Sequence, residues 1–106
     1  MVENPEVLIP TIPESIVVHL GPAEESAPNV RVGFIDYIAN VASNEIYPTW
    51  PENALIANMI AQISFALNRY YTEYYRSKGY DFDITSSTRT DQAYDPSGSV
   101  FENISL

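Results

Sequence analysis

The sequence predicts an α+β fold, a small antiparallel sheet packed on one long and one short helix. Three observations carry this. Two β-branched apolar runs, at 16–20 and 30–34, are separated by Gly21-Pro22 and an acidic loop. Apolar residues at three- and four-residue spacing follow Asp36. A second, longer stripe of the same spacing runs from Pro51 towards Gly79.

Residues 1–11, with Pro5 and Pro10, read as an extended lead-in, and residues 12–106 as one domain. Ile16-Val17-Val18-His19-Leu20 is a strand, stopped by Gly21-Pro22. In the second strand Val30, Val32 and Phe34 share one face and Arg31 takes the other. Strand, loop, strand is the order of an antiparallel pair. Asp36 is placed to cap a helix from about Tyr37, with Ile38, Val41 and Ala42 as its buried stripe. Pro48 disfavours helix at the residue before it, so that helix ends near 45–47.

Thr49 and Glu52 stand at capping-box spacing, and Pro51 suits a first helical turn. The second helix is expected from Pro51 to Lys78, roughly 42 Å at 1.5 Å per residue, with Gly79 as its stop. Leu55, Met59, Ile63, Ala66, Leu67, Tyr70 and Tyr74 form its stripe. The tyrosines at 70, 71, 74, 75 and 80 suggest either sugar stacking or, the commoner role at helical spacing, the edge of a core. Tyr80 to Ile84 alternates like a short strand. Val100 to Leu106 starts another helix and stops after Phe101, Ile104 and Leu106, so the chain reads as cut short. Such an apolar end favours self-association.

The 106 residues suit one domain. The net charge is −9 and the five basic residues make no dense run, which argues against nucleic acid and anionic lipid as partners. No cysteine is present, so there is neither a disulfide nor a thiolate metal site, and one histidine cannot supply a zinc triad. His19, inside a strand, reads as structural. No apolar stretch nears the roughly 20 residues that span a bilayer, and Met1 to Pro10 lacks the pattern of a signal peptide.

Glu45 carries the chemical interest. It lies in Ser43-Asn44-Glu45-Ile46-Tyr47-Pro48-Thr49-Trp50-Pro51, between the two helices, among apolar neighbours. Desolvation favours the protonated form of a carboxyl, and a protonated acid can serve a leaving group. The plain alternative is a solvated helix-end glutamate.

This stretch resembles the SpoIID/LytB domain family. There a tyrosine-bearing helix ends in a glutamate followed by a hydrophobic residue, then Trp-Pro, then Glu-x-Ala-Leu-x-Ala, as in Trp50-Pro51-Glu52-Asn53-Ala54-Leu55-Ile56-Ala57. Tyr80-Asp81-Phe82-Asp83-Ile84 and Asp91-Gln92-Ala93-Tyr94 look like its Phe-Asp-Val and Gln-x-Tyr segments. Ile12-Pro13-Glu14-Ser15-Ile16-Val17-Val18-His19-Leu20-Gly21 is similar to a strand of the clostridial spore cortex-lytic version. The likeness covers about residues 12–105.

The resemblance implies a peptidoglycan lytic transglycosylase of the spore cortex or cell envelope, active in germination, with Glu45 at the catalytic position. It implies glycan strands as the partner and no cofactor. Gln92 and Tyr94 would line the sugar groove. Tyr47 and Trp50 would stack on a ring or shield Glu45, although the plainer role of Trp50 is a packing anchor at the helix entry. Asp91 would orient a hydroxyl or polarise Gln92, or else cap a loop. Some members hold zinc through cysteines where this chain has Thr85, Arg89 and Asp91, so no metal is expected. The family domain also continues past Leu106, which leaves a non-catalytic peptidoglycan-binding or structural fragment as the alternative. A third reading is a protein-interaction module built on the tyrosine-rich helix.

Overall fold

A computed structural model describes residues 12–45 and 50–97. The order is β1 (Ser15–His19), β2 (Asn29–Gly33), α1 (Phe34–Glu45), α2 (Glu52–Tyr71), a 3-10 turn (Arg76–Lys78) and β3 (Ile84–Thr85). The fold is α+β as expected, but its three-stranded sheet is mixed where an antiparallel one was expected, because β3 pairs in parallel with β1. β1 lies in the middle, antiparallel to β2 with Ser15 opposite Gly33 and His19 opposite Asn29. It runs parallel to β3, with Val18 opposite Ile84 and His19 opposite Thr85.

The burial of each strand follows its place. Ile16 to His19 of β1 are all buried, as expected of a central strand covered on both faces. In β2, half-buried Val30 and Val32 alternate with exposed Asn29, Arg31 and Gly33. On one face of β1, Ile16 and Val18 meet Phe34, Tyr37, Ile38 and Val41 of α1, Ala66 of α2 and Ile84. On the other, Val17 packs with Tyr75 and Phe82. Each large aliphatic side chain so buried contributes about 1.5–3 kcal/mol. His19 serves this packing. Its ring stacks on Phe82 at 4.4 Å, and its nitrogens lie 2.6 Å from Asn29 Oδ1 and 2.8 Å from the Glu25 carbonyl oxygen.

Three local expectations are corrected. First, α1 begins at Phe34, which puts Asp36 in the first turn rather than at the cap. Second, α2 ends at Tyr71 instead of Lys78. Thr72 Oγ1 donates to the Asn68 carbonyl at 2.6 Å, competing for the helix's own acceptor. Glu73 then takes φ 53°, a left-handed conformation that turns the chain. The turn carries Tyr75 into the core, and Gly79 at φ 96° closes the 3-10 turn. Tertiary burial of one tyrosine outweighs helical continuation.

Third, the strand expected over 80–84 contracts to Ile84–Thr85, because an Asp83 side chain does the work of backbone. Asp83 Oδ2 accepts from the Val17 N–H at 2.8 Å, and the Asp83 N–H donates to the Val17 carbonyl at 2.9 Å. Arg76 Nε holds the other oxygen at 2.7 Å, and that bond raises the guanidinium pKa above its ordinary value.

At the start of α2 the N-cap is Pro51, with no side-chain capping bond. Thr49 of the expected capping box lies outside the described residues, as do Ile46, Tyr47, Pro48, Phe101, Ile104 and Leu106.

Candidate functional site

Glu45 is the last residue of α1. The buried apolar residues of that helix include Tyr37, Ile38, Val41 and Ala42, and Asn40, itself buried, meets segment 92–95 together with the exposed Asn44 and Glu45. Among the described residues no strand pairs with this segment, so its backbone groups need other partners. Asn40 supplies both, with Nδ2 donating to the Asp95 carbonyl at 2.7 Å and Oδ1 accepting from the Asp95 N–H at 3.0 Å. Asn44 Nδ2 donates to the Ala93 carbonyl at 2.9 Å. The Ala93 N–H donates to Glu45 Oε2 at 2.8 Å.

The other oxygen of Glu45 is held from α2. Gln62 Nε2 donates to Glu45 Oε1 at 3.2 Å. A carboxylate offers only acceptors, and this orients the Gln62 amide with nitrogen towards it. Gln62 Oε1 is left buried without a hydrogen-bond partner among the described residues. Gln92 braces Gln62 from behind, its Nε2 donating to the Gln62 carbonyl at 2.9 Å, and Tyr37 Oη donates to Gln92 Oε1 at 3.0 Å. Burial above all, then the negative charges of Asp91 and Glu45, hold the Tyr37 hydroxyl pKa well above the usual tyrosine value.

Glu45 opens onto a cavity of about 260 Å³ lined also by Asn58, Gln62, Phe65, Asp91 and Gln92. Glu45 is itself exposed, in contrast to the poorly solvated acid that its neighbours in sequence suggest. Each carboxylate oxygen spends one lone pair on an N–H, so acceptor capacity remains on both. The arrangement fixes a carboxyl group at the edge of a groove with its plane set by two donors from different parts of the chain.

The other candidate residues have structural partners. Gln92 is buried and uses both polar atoms inside the fold. Tyr94 is half-buried, stacked on Tyr37 at 5.4 Å, and burial raises its pKa. Trp50 packs with Met59 on Ala42 and Leu55.

Asp91 lines the groove, but its side chain is fully buried. It takes Arg69 Nε at 2.8 Å on Oδ1, and the Thr85 N–H at 3.1 Å, Thr85 Oγ1 at 2.6 Å and the Tyr75 hydroxyl on Oδ2. Burial first and the bond to Asp91 second raise the Tyr75 pKa. Arg69 stacks between the groove and the tyrosines, 4.6 Å from the Phe65 ring and 3.9 Å from that of Tyr74. Tyr47 lies outside the described residues.

Gln62 and Tyr37 are the residues that sequence reasoning missed. Gln62 had a legible signal. Leu55, Met59, Gln62 and Ala66 follow four-three-four spacing, so a glutamine occupies a core position of α2. Among the described residues no group of three or more His, Asp or Glu is placed to hold a metal ion, and no helix is long and apolar enough to cross a membrane.

The chain is thus a mixed-sheet α+β domain in which Glu45, at the end of α1, is held by Gln62 of α2 and by the Ala93 N–H. The SpoIID family, described as Stage II sporulation protein, matches residues 25–104, and the chain belongs to that family. Membership implies, at family level, a sporulation-associated role in cell-wall lysis. No curated protein and no solved structure gives a significant match.

Proposed function

We propose that the domain is a peptidoglycan lytic transglycosylase that cleaves the β-1,4 bond between N-acetylmuramic acid and N-acetylglucosamine in the spore cortex during germination. Glu45 acts alone as acid and then base. Its carboxyl proton passes to the glycosidic oxygen as the C1–O bond breaks. The muramyl 6-hydroxyl oxygen bonds to C1, and Glu45 takes that hydroxyl's proton. The product is a 1,6-anhydromuramic end, and the enzyme finishes in its starting protonation state. No water is added, which distinguishes this route from two-carboxylate hydrolysis.

One observation carries the reading: the carboxyl of Glu45 is held by Gln62 and Ala93 at the edge of a cavity, with acceptor capacity left on each oxygen. Gln92 and Asp91 line the same cavity.

Digestion of purified cortex peptidoglycan followed by mass spectrometry of the muropeptides tests it. Anhydromuramic ends are expected with the native chain and absent with Glu45→Gln. Their absence with the native chain would sink the proposal.

The second reading, a non-catalytic peptidoglycan-binding or structural piece, draws on the way Asp91 and Gln92 spend their polar atoms within the fold. Retention of glycan strands by both the native chain and Glu45→Gln, with no product from either, would select it.

A further inference from the structure

One wall of the groove beside Glu45 is made by α2. Asn58, Ala61, Gln62 and Phe65 all line that cavity, and at 3.6 residues per turn they share about 100° of arc on the helix. Asn58 stands one turn, about 6 Å, before Gln62, and Phe65 stands about 4.5 Å after it. Glu45, bonded to Gln62, therefore faces the middle of a wall that continues to both sides of it.

Most of the hydrogen-bonding capacity in this groove is already used. Asp91 accepts from Arg69, Thr85 and Tyr75 and its side chain is fully buried. Gln92 spends both polar atoms inside the fold. Gln62 gives Nε2 to Glu45, and its Oε1 is buried. Apart from Glu45 itself, Asn58 is the described lining side chain that still has a polar atom to offer.

The orientation of Asn58 is set by its own helix. Its Nδ2 donates to the Ala54 carbonyl, one turn back, at 3.1 Å. An amide held by its nitrogen has its acceptor end fixed as well. Asn58 Oδ1 makes no hydrogen bond among the described residues, and unlike Gln62 Oε1 it is open to solvent. Beside it on the wall, Ala61 is exposed and its side chain ends at Cβ, which leaves room for a small apolar group. An outward acceptor next to a small apolar step matches a secondary amide that ends in a methyl group.

We infer that Asn58 and Ala61 read the 2-acetamido group of an amino sugar in this groove. Asn58 Oδ1 accepts from the acetamido N–H, and the acetyl methyl packs on the Ala61 Cβ. The assignment rests on a glycan strand as the substrate and adds the group by which the groove selects it. Asn58 is thus a specificity residue, one helical turn from the residue that holds the proposed acid.

NMR-detected titration of the native chain tests this with two stem-free probes of equal length, a β-1,4 tetrasaccharide of N-acetylglucosamine and the corresponding tetrasaccharide of glucose. The acetylated probe is expected to shift the backbone amides of residues 58 and 61 and the side-chain amide of Asn58. It should bind about fourfold more tightly than the glucose probe, the scale of one buried methyl group. Asn58→Leu should weaken the acetylated probe about tenfold, the scale of one hydrogen bond. Its melting temperature should not fall, because leucine is a better helix former than asparagine. Ala61→Leu should remove the preference between the probes.

Amides at 58 and 61 that do not move, equal affinity of the native chain for both probes, native affinity in Asn58→Leu, or a preference that survives Ala61→Leu would each overturn the assignment. The titrations break no bond, so the two proposals fail separately. The acetyl preference without anhydromuramic product removes the transglycosylase and leaves the assignment. Product released by Asn58→Leu as fast as by the native chain, at strand concentrations below saturation, removes the assignment alone.

Discussion

Gln62 donates to Glu45 from a position that a hydrophobic residue would fill better. Its nitrogen lies 3.2 Å from Glu45 Oε1, while its own oxygen is buried without a partner among the described residues. An unsatisfied buried acceptor costs about 1–3 kcal/mol. Such a cost, placed at the residue that orients a candidate acid, has the form of stability given up for function.

Gln62→Leu should therefore separate activity from stability. Release of anhydromuramic product is expected to fall about 100-fold, the size of effect that a misplaced catalytic group produces. The urea midpoint should stay level or rise, since the orphaned oxygen is gone. A large loss of stability with activity per folded molecule unchanged would refute the positioning role.

Asp91 should behave in the opposite way. It is a buried carboxylate with donors from Arg69, Tyr75 and Thr85. Removing one side of such a pair strands the other charge and costs about 3–5 kcal/mol. Asp91→Ala is expected to lower unfolding free energy by that amount in urea titration, and Tyr75→Phe by about 1 kcal/mol. An Asp91→Ala protein of native stability that no longer binds glycan would return this residue to the substrate.

The buried tyrosines set an alkaline limit. The Tyr37 pKa is raised by burial and by the charges of Asp91 and Glu45. Below the unfolded value of about 10, the hydroxyl is protonated in both states and its contribution is complete. As pH rises beyond that value the unfolded chain loses the proton first, so the native state binds more protons and stability declines. Melting temperatures measured from about pH 9 to about pH 11 should fall, and should fall less steeply in Tyr37→Phe. Equal slopes would show that Tyr37 ionises alike in both states.

Glu73 offers a test of strain. A left-handed non-glycine residue costs about 1–2 kcal/mol relative to one free of the Cβ clash. Glu73→Gly should raise thermal stability by a few degrees for a domain of this size. No gain would mean that the side chain itself supports the turn.

Elements governed by local chemistry were legible in the sequence, and those governed by long-range partners were not. The β-branched runs became β1 and β2, and the apolar stripe after Asp36 became α1. The stop of α2 was misplaced because Tyr74 and Tyr75 continue the helical pattern while the burial of Tyr75 beside Phe82 overrides it. Parallel pairing of β3 depends on an Asp83 side chain reaching Val17, which no local pattern announces. At the site, Glu45 stood out by its neighbours and by family likeness. The brace behind it did not, since Tyr37, Gln62 and Gln92 meet only after folding. A polar residue at a core position of α2 was the one local clue.

The clamps around segment 92–95 also bear on the order in which the molecule assembles. Tyr37 and Gln92 are 55 positions apart, and Glu45 and Ala93 are 48 apart. The β1–β2 pair and α1 close over short stretches of chain, whereas these contacts close long loops that must bear their entropy before any bond repays it. The groove beside Glu45 is thus expected to form late, after the sheet and α1, and chains caught before that step would carry Glu45 without the frame that holds it.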